Sequence, residues 1–223
     1  EGSWDTAREV LGLLRREAGA RGVCWLAASL QEGQEGLGEA LAAEGFEEYV
    51  SREHRRLRLV NGASGVEAPG SEHVIRMATL DEAVVLSEVS NAAYAGSPWV
   101  GDTDPEAYRR HVLRAGAVVL VAEHAATGRV DGLCELVQRV VGLDGAAVGS
   151  GHVSSLAVRP EAQGRGLGCS LLSTGVAYCL RQGWPTAELN VDAGNLRARR
   201  LYERMGFAVV YRYANWRLRL AEG

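Results

Sequence analysis

The chain has 223 residues, 47% of them hydrophobic, and a formal net charge of −4, which describes a soluble globular protein of one large domain or one and a half small ones. All 24 residues counted as Lys plus Arg are Arg, which excludes a Walker phosphate loop, a Schiff-base enzyme and a protein kinase, because each needs its Lys. The acidic balance and scattered arginines give no footprint for nucleic acid, and the absence of a long apolar run gives none for a membrane.

From the N-terminus, apolar spacing predicts a helix over Thr6–Ala20 and a strand over Val23–Leu30. Residues Val60–Glu72 (VNGASGVEAPGSE) are rich in Gly, Ser and Ala and read as a linker. After it come a short strand at His73–Thr79, helices at Leu80–Tyr94 and Pro105–Ala115, and strands at Val118–Glu123, Val130–Val141 and His152–Val158. Gly166–Gln182 is a predicted helix, Ala187–Val191 a strand and Leu196–Met205 a helix that Gly206 ends. Ala208–Leu220 carries one or two further strands. This order predicts an α/β (α+β) layer fold. Cys24, Cys134, Cys169 and Cys179 fit neither a zinc pattern nor a small disulfide scaffold, so no metal is expected. With no signal peptide visible, reduced thiols and the cytoplasm are the default.

An internal repeat changes the length argument. Gly206–Leu220 reads GFAVVYRYANWRLRL and Gly45–Leu59 reads GFEEYVSREHRRLRL. At one constant offset the Gly-Phe pairs coincide, and so do the RLRL ends. Phe46 and Phe207 are the only two Phe in the chain, so this match is more than composition. The expectation is a partial copy at 1–59, a linker at 60–72 and a complete domain at 73–223. Two unrelated helix–strand units sharing a chance RLRL remain the rival. Because the chain starts at Glu1 rather than Met, the missing first half of the copy is expected upstream. A half sheet needs a partner, which residues 73–220, a second subunit in a homodimer or that upstream segment could supply.

The string Leu156–Gly168 (LAVRPEAQGRGLG) runs from a strand through a turn into a helix. Its glycines let the backbone approach a ligand, and successive N–H groups at the helix N-terminus form a site for a pyrophosphate. A dinucleotide GxGxxG fails, because Cys169 or Leu171 stands where its last Gly belongs. The surviving pattern, Q/R-x-x-G-x-G/A, is met by Gln163, Gly166 and Gly168. A second motif follows: Val191 on a strand, Asn195, Leu201-Tyr202 on a helix, then Gly206-Phe207. Together, in this order, the two resemble the signatures of the GCN5-related N-acetyltransferases over about His73 to Leu220.

The resemblance implies a mixed, mostly antiparallel twisted sheet flanked by helices. It implies acetyl transfer from acetyl-CoA to a primary amine of a small molecule or peptide. A CoA-binding regulatory or scaffolding module is the alternative. The pantetheine arm would lie in a splay between His152–Val158 and Ala187–Val191, pairing with Leu156, Ala157 and Val158. An N–H near Leu156 would face the thioester oxygen. The pyrophosphate would sit on N–H groups of Gln163, Gly164, Arg165, Gly166, Leu167, Gly168 and Cys169, and Asn195 would cap its helix or touch the arm. Tyr202 matches the family's general acid, a phenol whose ordinary pKa suits a departing thiolate. The base is open: some members place a Glu on the fifth strand, but Asn190 stands here, leaving Glu135 and His152 as candidates. Tyr94, Trp99 and Asp102, between the first two helices of this domain, would line the acceptor pocket. At the repeat's offset Leu41 stands on Tyr202 and Gln34 on Asn195, and no Gly-rich loop precedes Thr6, so residues 1–59 are expected to be catalytically silent.

Overall fold

The structure, a computed structural model, describes residues 2–59, 72–97, 103–112, 117–141 and 148–220. Of the expected linker only Glu72 falls among them. The chain gathers into two compact units, one of Glu1–His54, Val191–Leu196 and Val209–Gly223, the other of Arg55–Asn190 and Arg197–Ala208. The eight strands of the described residues belong to one mixed, mostly antiparallel sheet.

The first unit contains α1 (Gly2–Ala20), β1 (Trp25–Gln31), α2 (Glu35–Ala43) and most of β2 (Glu47–Arg58) and β8 (Ala208–Arg219). The C-terminal stretch is therefore a single strand rather than two. Strand β1 pairs antiparallel with β8, from Trp25 opposite Arg219 to Gln31 opposite Tyr213. Arg217 lies over the Trp25 ring at 5.0 Å from its centroid, a cation–π contact that shields the exposed edge aromatic. Leu41, Phe46 and Val50 are buried in this unit.

The second unit runs β3 (His73–Met77), α3 (Ala83–Ala93), α4 (Pro105–Val112), β4 (Ala117–His124), β5 (Val130–Val141), β6 (Val148–Val158), α5 (Leu167–Arg181), β7 (Thr186–Asp192) and α6 (Leu196–Arg204), the last two shared with the first unit at one end. Strands β3 to β6 pair antiparallel in sequence order, and β7 joins β6 in parallel. The helix expected from Leu80 opens as a 3₁₀ turn, Leu80–Glu82. The Glu82 carboxylate accepts the Thr79 N–H at 2.7 Å and the Arg76 Nη2–H at 2.6 Å, which tightens that first turn.

Alternation along the strands sends neighbouring residues to opposite faces. Leu133 and Ala157 pack with Leu86 and Val89 of α3 and Tyr108 of α4. Cys134 and Leu136 instead meet Gly175 of α5. Strand β6 begins four residues before the sequence suggests, at Val148. A Cβ on Gly149 would lie 2.9 Å from Gln138 Nε2 and 3.2 Å from Trp184, and one on Gly151 would overlap Cys179 Sγ and lie 2.8 Å from Trp184. Glycine there marks a close approach, not a loop.

The repeat is visible in the elements. Shifted by 161 residues, which carries Gly45 onto Gly206, β1 falls on β7, α2 on α6 and β2 on β8, with both ends of each coinciding. Helix α1 ends at the same place as α5, and Gly22 and Gly45 share positive φ with Gly183 and Gly206. Both ends of three elements and two left-handed glycines thus coincide at the offset of the sequence match.

Candidate active site

Strands β6 and β7 pair only from Gly151–Val153 to Ala187–Leu189. Beyond this, β6 continues to Val158 with its edge toward β7 unpaired. A bulge precedes the opening: Glu135 faces Ser155 while Leu136 faces Val153, which leaves Ser154 extra on β6. The Ser154 hydroxyl donates to the buried Glu135 carboxylate.

One side chain reaches the opened edge. Tyr94 follows the last turn of α3, and its Oη accepts the Leu156 N–H at 3.3 Å. The same oxygen lies 3.2 Å from both the Leu156 carbonyl and Ser155 Oγ. The phenol thus holds both backbone groups of the residue expected to meet a thioester. Burial pushes its pKa up. Tyr94, expected to line the acceptor pocket, thus bonds to the Leu156 backbone of β6. Trp99 and Asp102 lie outside the described residues.

The Gly-rich loop follows at the end of β6. A 3₁₀ turn at Pro160–Ala162 leads to Gln163, and α5 starts after Gly166. Gly164 and Gly166 have φ of 85° and 81°, and a Cβ built on either meets nothing within 4 Å. The left-handed backbone favours glycine at both positions, and their open side leaves space for a ligand. Gln163 is a tie as well as a loop residue: its Nε2 donates to the Val158 carbonyl at 3.0 Å and its Oε1 accepts from Arg197 Nη1 at 2.6 Å. Arg165 is exposed, Leu167 buried, and Gly168 lies in ordinary contact with Leu201 and Val158. Arg159 anchors the turn through the Val130 carbonyl at 3.0 Å.

Tyr202 is buried on α6, edge-on to Phe207 with ring centroids 6.0 Å apart. Burial raises its pKa well above the ordinary 10, Tyr94 and Cys134 add to the rise, and Arg55 opposes it. Tyr202 and Tyr94 are thus within electrostatic reach of each other. Arg55, which the sequence did not single out, is nearly fully buried, and its guanidinium pairs with Glu203 at 2.9 Å. Tyr108 was missed too. Its hydroxyl is buried with no partner among the described residues, and burial raises its pKa, with the Glu135 charge adding.

Glu135 and His152 both point to the face that carries α3 and α4, since their neighbours Cys134 and Gly151 face α5. His152 is buried opposite Glu188 of β7. Glu188, two residues before Asn190 on β7, is buried and held by Arg56 at 2.6 Å, so its carboxylate is already committed. Asn195 belongs to the segment gathered into the first unit, where its N–H donates to the Asp192 carbonyl at 3.0 Å. Among the described residues no group of His, Cys, Asp and Glu could hold a metal ion, and no helix is long and apolar enough to cross a membrane.

Known proteins resemble this chain in sequence and fold. The chain is 38% identical over 136 residues to a mycothiol acetyltransferase of Acidimicrobium ferrooxidans, covering 59% of this chain and 42% of the relative. It is 53% identical over 60 residues to a mycothiol acetyltransferase of Streptomyces avermitilis, covering 27% and 20%. These matches span less than half the length of the curated relatives. Among solved structures, a tandem GNAT protein from the clavulanic acid biosynthesis pathway superposes with a TM-score of 0.73 at 18% identity, covering 97% of this chain and 70% of that one. A GCN5-related N-acetyltransferase from Sphaerobacter thermophilus gives 0.68 at 22%, covering 89% and 61%. At such identities these two establish the fold. Residues 88–207, from the middle of α3 through the opened strand, the Gly-rich loop and Tyr202 to Phe207, match the model of the acetyltransferase (GNAT) family, and the chain belongs to that family.

Proposed function

We propose that the protein is an N-acetyltransferase that moves an acetyl group from acetyl-CoA to the primary amine of a small molecule, with one acetyl-transfer site in its C-terminal part. The observation that carries the reading is the unpaired edge of β6 beyond Val153, running directly into the Gly164–Gly168 turn. The residues fit the cosubstrate: two left-handed glycines with no neighbour in the way, a helix N-terminus, and a strand edge whose groups at Leu156 meet only a phenol. Acetyl-CoA supplies the activated thioester. Residues Leu156 to Val158 bind its arm along the strand, and the N–H groups from Gln163 to Cys169 receive its phosphates. The Leu156 N–H, once Tyr94 yields it, polarises the thioester oxygen.

Tyr202 protonates the departing sulfur. Burial keeps it protonated through the physiological range and makes it a weaker acid than a free phenol, so the proton passes only as negative charge develops on the sulfur. His152 or Glu135 takes the ammonium proton, directly or through water. Residues 1–59 are a silent half-copy, since Leu41 stands where Tyr202 does and no Gly-rich loop precedes α1. The names of the relatives support a mycothiol-related amine as acceptor. A thiol-release assay with acetyl-CoA and an amine panel, including the acceptor used by mycothiol acetyltransferases, tests the reading. Turnover with a small amine supports it. Tight CoA binding with no turnover on any amine would replace it with a non-catalytic CoA-binding module.

A further inference from the structure

The end of α3 and the first turn of α4 each carry a phenol, Tyr94 and Tyr108. The two helices are tied to each other. Asn91 of α3 accepts the Thr103 N–H at 2.7 Å and donates to the Thr103 carbonyl at 3.2 Å, just ahead of α4. Tyr108 is buried in one cluster with Leu86, Val89, Leu133 and Ala157, and Tyr94 packs against the same cluster. The Tyr94 backbone is held as well, since its N–H donates to the Ser90 carbonyl at 2.9 Å. The freedom left to Tyr94 lies in its side-chain torsions.

The two hydroxyls are unequally served. Tyr94 Oη accepts the Leu156 N–H at 3.3 Å and lies 3.2 Å from both the Leu156 carbonyl and Ser155 Oγ. Tyr108 is only 5% exposed, and its Oη has no partner among the described residues. Packing alone asks for no more than a Phe at this position, and a buried hydroxyl without a partner costs stability. Burial holds the Tyr108 proton, and the Glu135 charge and then Tyr94 add to that hold, which puts both groups within electrostatic reach of the orphaned hydroxyl.

Acetyl-CoA binding at the opened edge would reverse this inequality. An arm that pairs with Leu156 takes the backbone groups that Tyr94 holds, and the displaced phenol becomes the group in need of a partner.

We propose that Tyr108 is a positioning residue for acetyl transfer, its hydroxyl bonding to the Tyr94 hydroxyl once acetyl-CoA occupies the Leu156 backbone. Tyr94 then has two seats, Leu156 in the free protein and Tyr108 in the complex, and the second keeps it clear of the strand edge. The inference rests on the acetyl-transfer reading and deepens it: Tyr108 touches neither cosubstrate nor acceptor and acts through Tyr94.

A double-mutant cycle on the full chain tests it, read by calorimetric titration with acetyl-CoA. Tyr108→Phe weakens acetyl-CoA binding roughly fivefold, the worth of one hydrogen bond, while the urea midpoint at pH 7 stays where it was. In a Tyr94→Phe background the same substitution leaves the affinity unchanged within about twofold, because no displaced hydroxyl then needs a seat. A merely structural role would weaken binding alike in both backgrounds. Should Tyr108→Phe not fold, Tyr108→Met takes its place in both arms. An equal loss in the two backgrounds, or no loss in either, overturns the second seat while leaving the acetyl-transfer reading intact. A parent protein that binds no acetyl-CoA up to about 1 mM overturns that reading, and the seat with it.

Discussion

Two phenols stand at the candidate site, and their surroundings predict different phenotypes. Tyr202 is buried, and its raised pKa keeps the proton it would donate. Tyr202→Phe keeps the ring packed on Phe207 and deletes only that proton. The expected result is a kcat lower by roughly 100-fold or more, with acetyl-CoA affinity by calorimetry changed less than about twofold, because an acid acts in the transition state. Parallel losses in both would make it a binding residue. Tyr94 predicts the reverse. Its hydroxyl occupies the Leu156 N–H and carbonyl, so the arm of a cosubstrate pairing there must displace it. Tyr94→Phe should lower stability by about 1 kcal/mol through the lost hydrogen bonds and tighten acetyl-CoA binding. Weaker binding would instead place the phenol among the groups that hold the arm.

At the scale of elements, glycine decides where strands and helices approach a neighbour. Gly151→Ala brings a methyl onto Cys179 and Trp184 in the β6–α5 contact. Overpacking of this kind costs about 1–3 kcal/mol, to be read as a lower urea midpoint at unchanged slope. Gly166→Ala meets no neighbour but forces φ of 81° on a residue with a Cβ. It should cost about 1–2 kcal/mol and, unlike Gly151→Ala, weaken acetyl-CoA binding directly. The Gly-rich loop and the Tyr202 motif were legible because each is local, a fixed spacing within one strand–helix–strand run. The early start of β6 was not, since Gly149 and Gly151 read as loop until Trp184 and Cys179 fill the space above them. Tyr94's bonds to Leu156, the buried Arg55 and the Arg56–Glu188 pair were equally hidden. Each joins residues more than 60 positions apart, which spacing and periodicity do not encode.

Across the whole molecule, the buried phenols and thiols set an alkaline limit on stability. Burial raises the pKa of Tyr94, Tyr108, Tyr202 and Cys134, and pushes Cys179 up to about 12. In the unfolded chain the same groups titrate near 9.0 for the thiols and 10.0 for the phenols. Below these values both states hold their protons, and the groups make no difference to the pH dependence. Above them the unfolded chain releases protons that the folded chain retains, so stability falls as pH rises. On the acid side the sign is opposite. Arg76 holds the Glu82 carboxylate down at about 2 from its ordinary 4.5, so that contribution is present above 4.5 and lost as pH falls toward 2. Urea midpoints should therefore stay flat between these limits and decline from about pH 9 upward. Tyr108→Phe, which removes a phenol with no partner to lose among the described residues, should shallow that decline without lowering the midpoint at pH 7. A midpoint unchanged through pH 10.5 in the parent protein would mean that these groups titrate alike in both states.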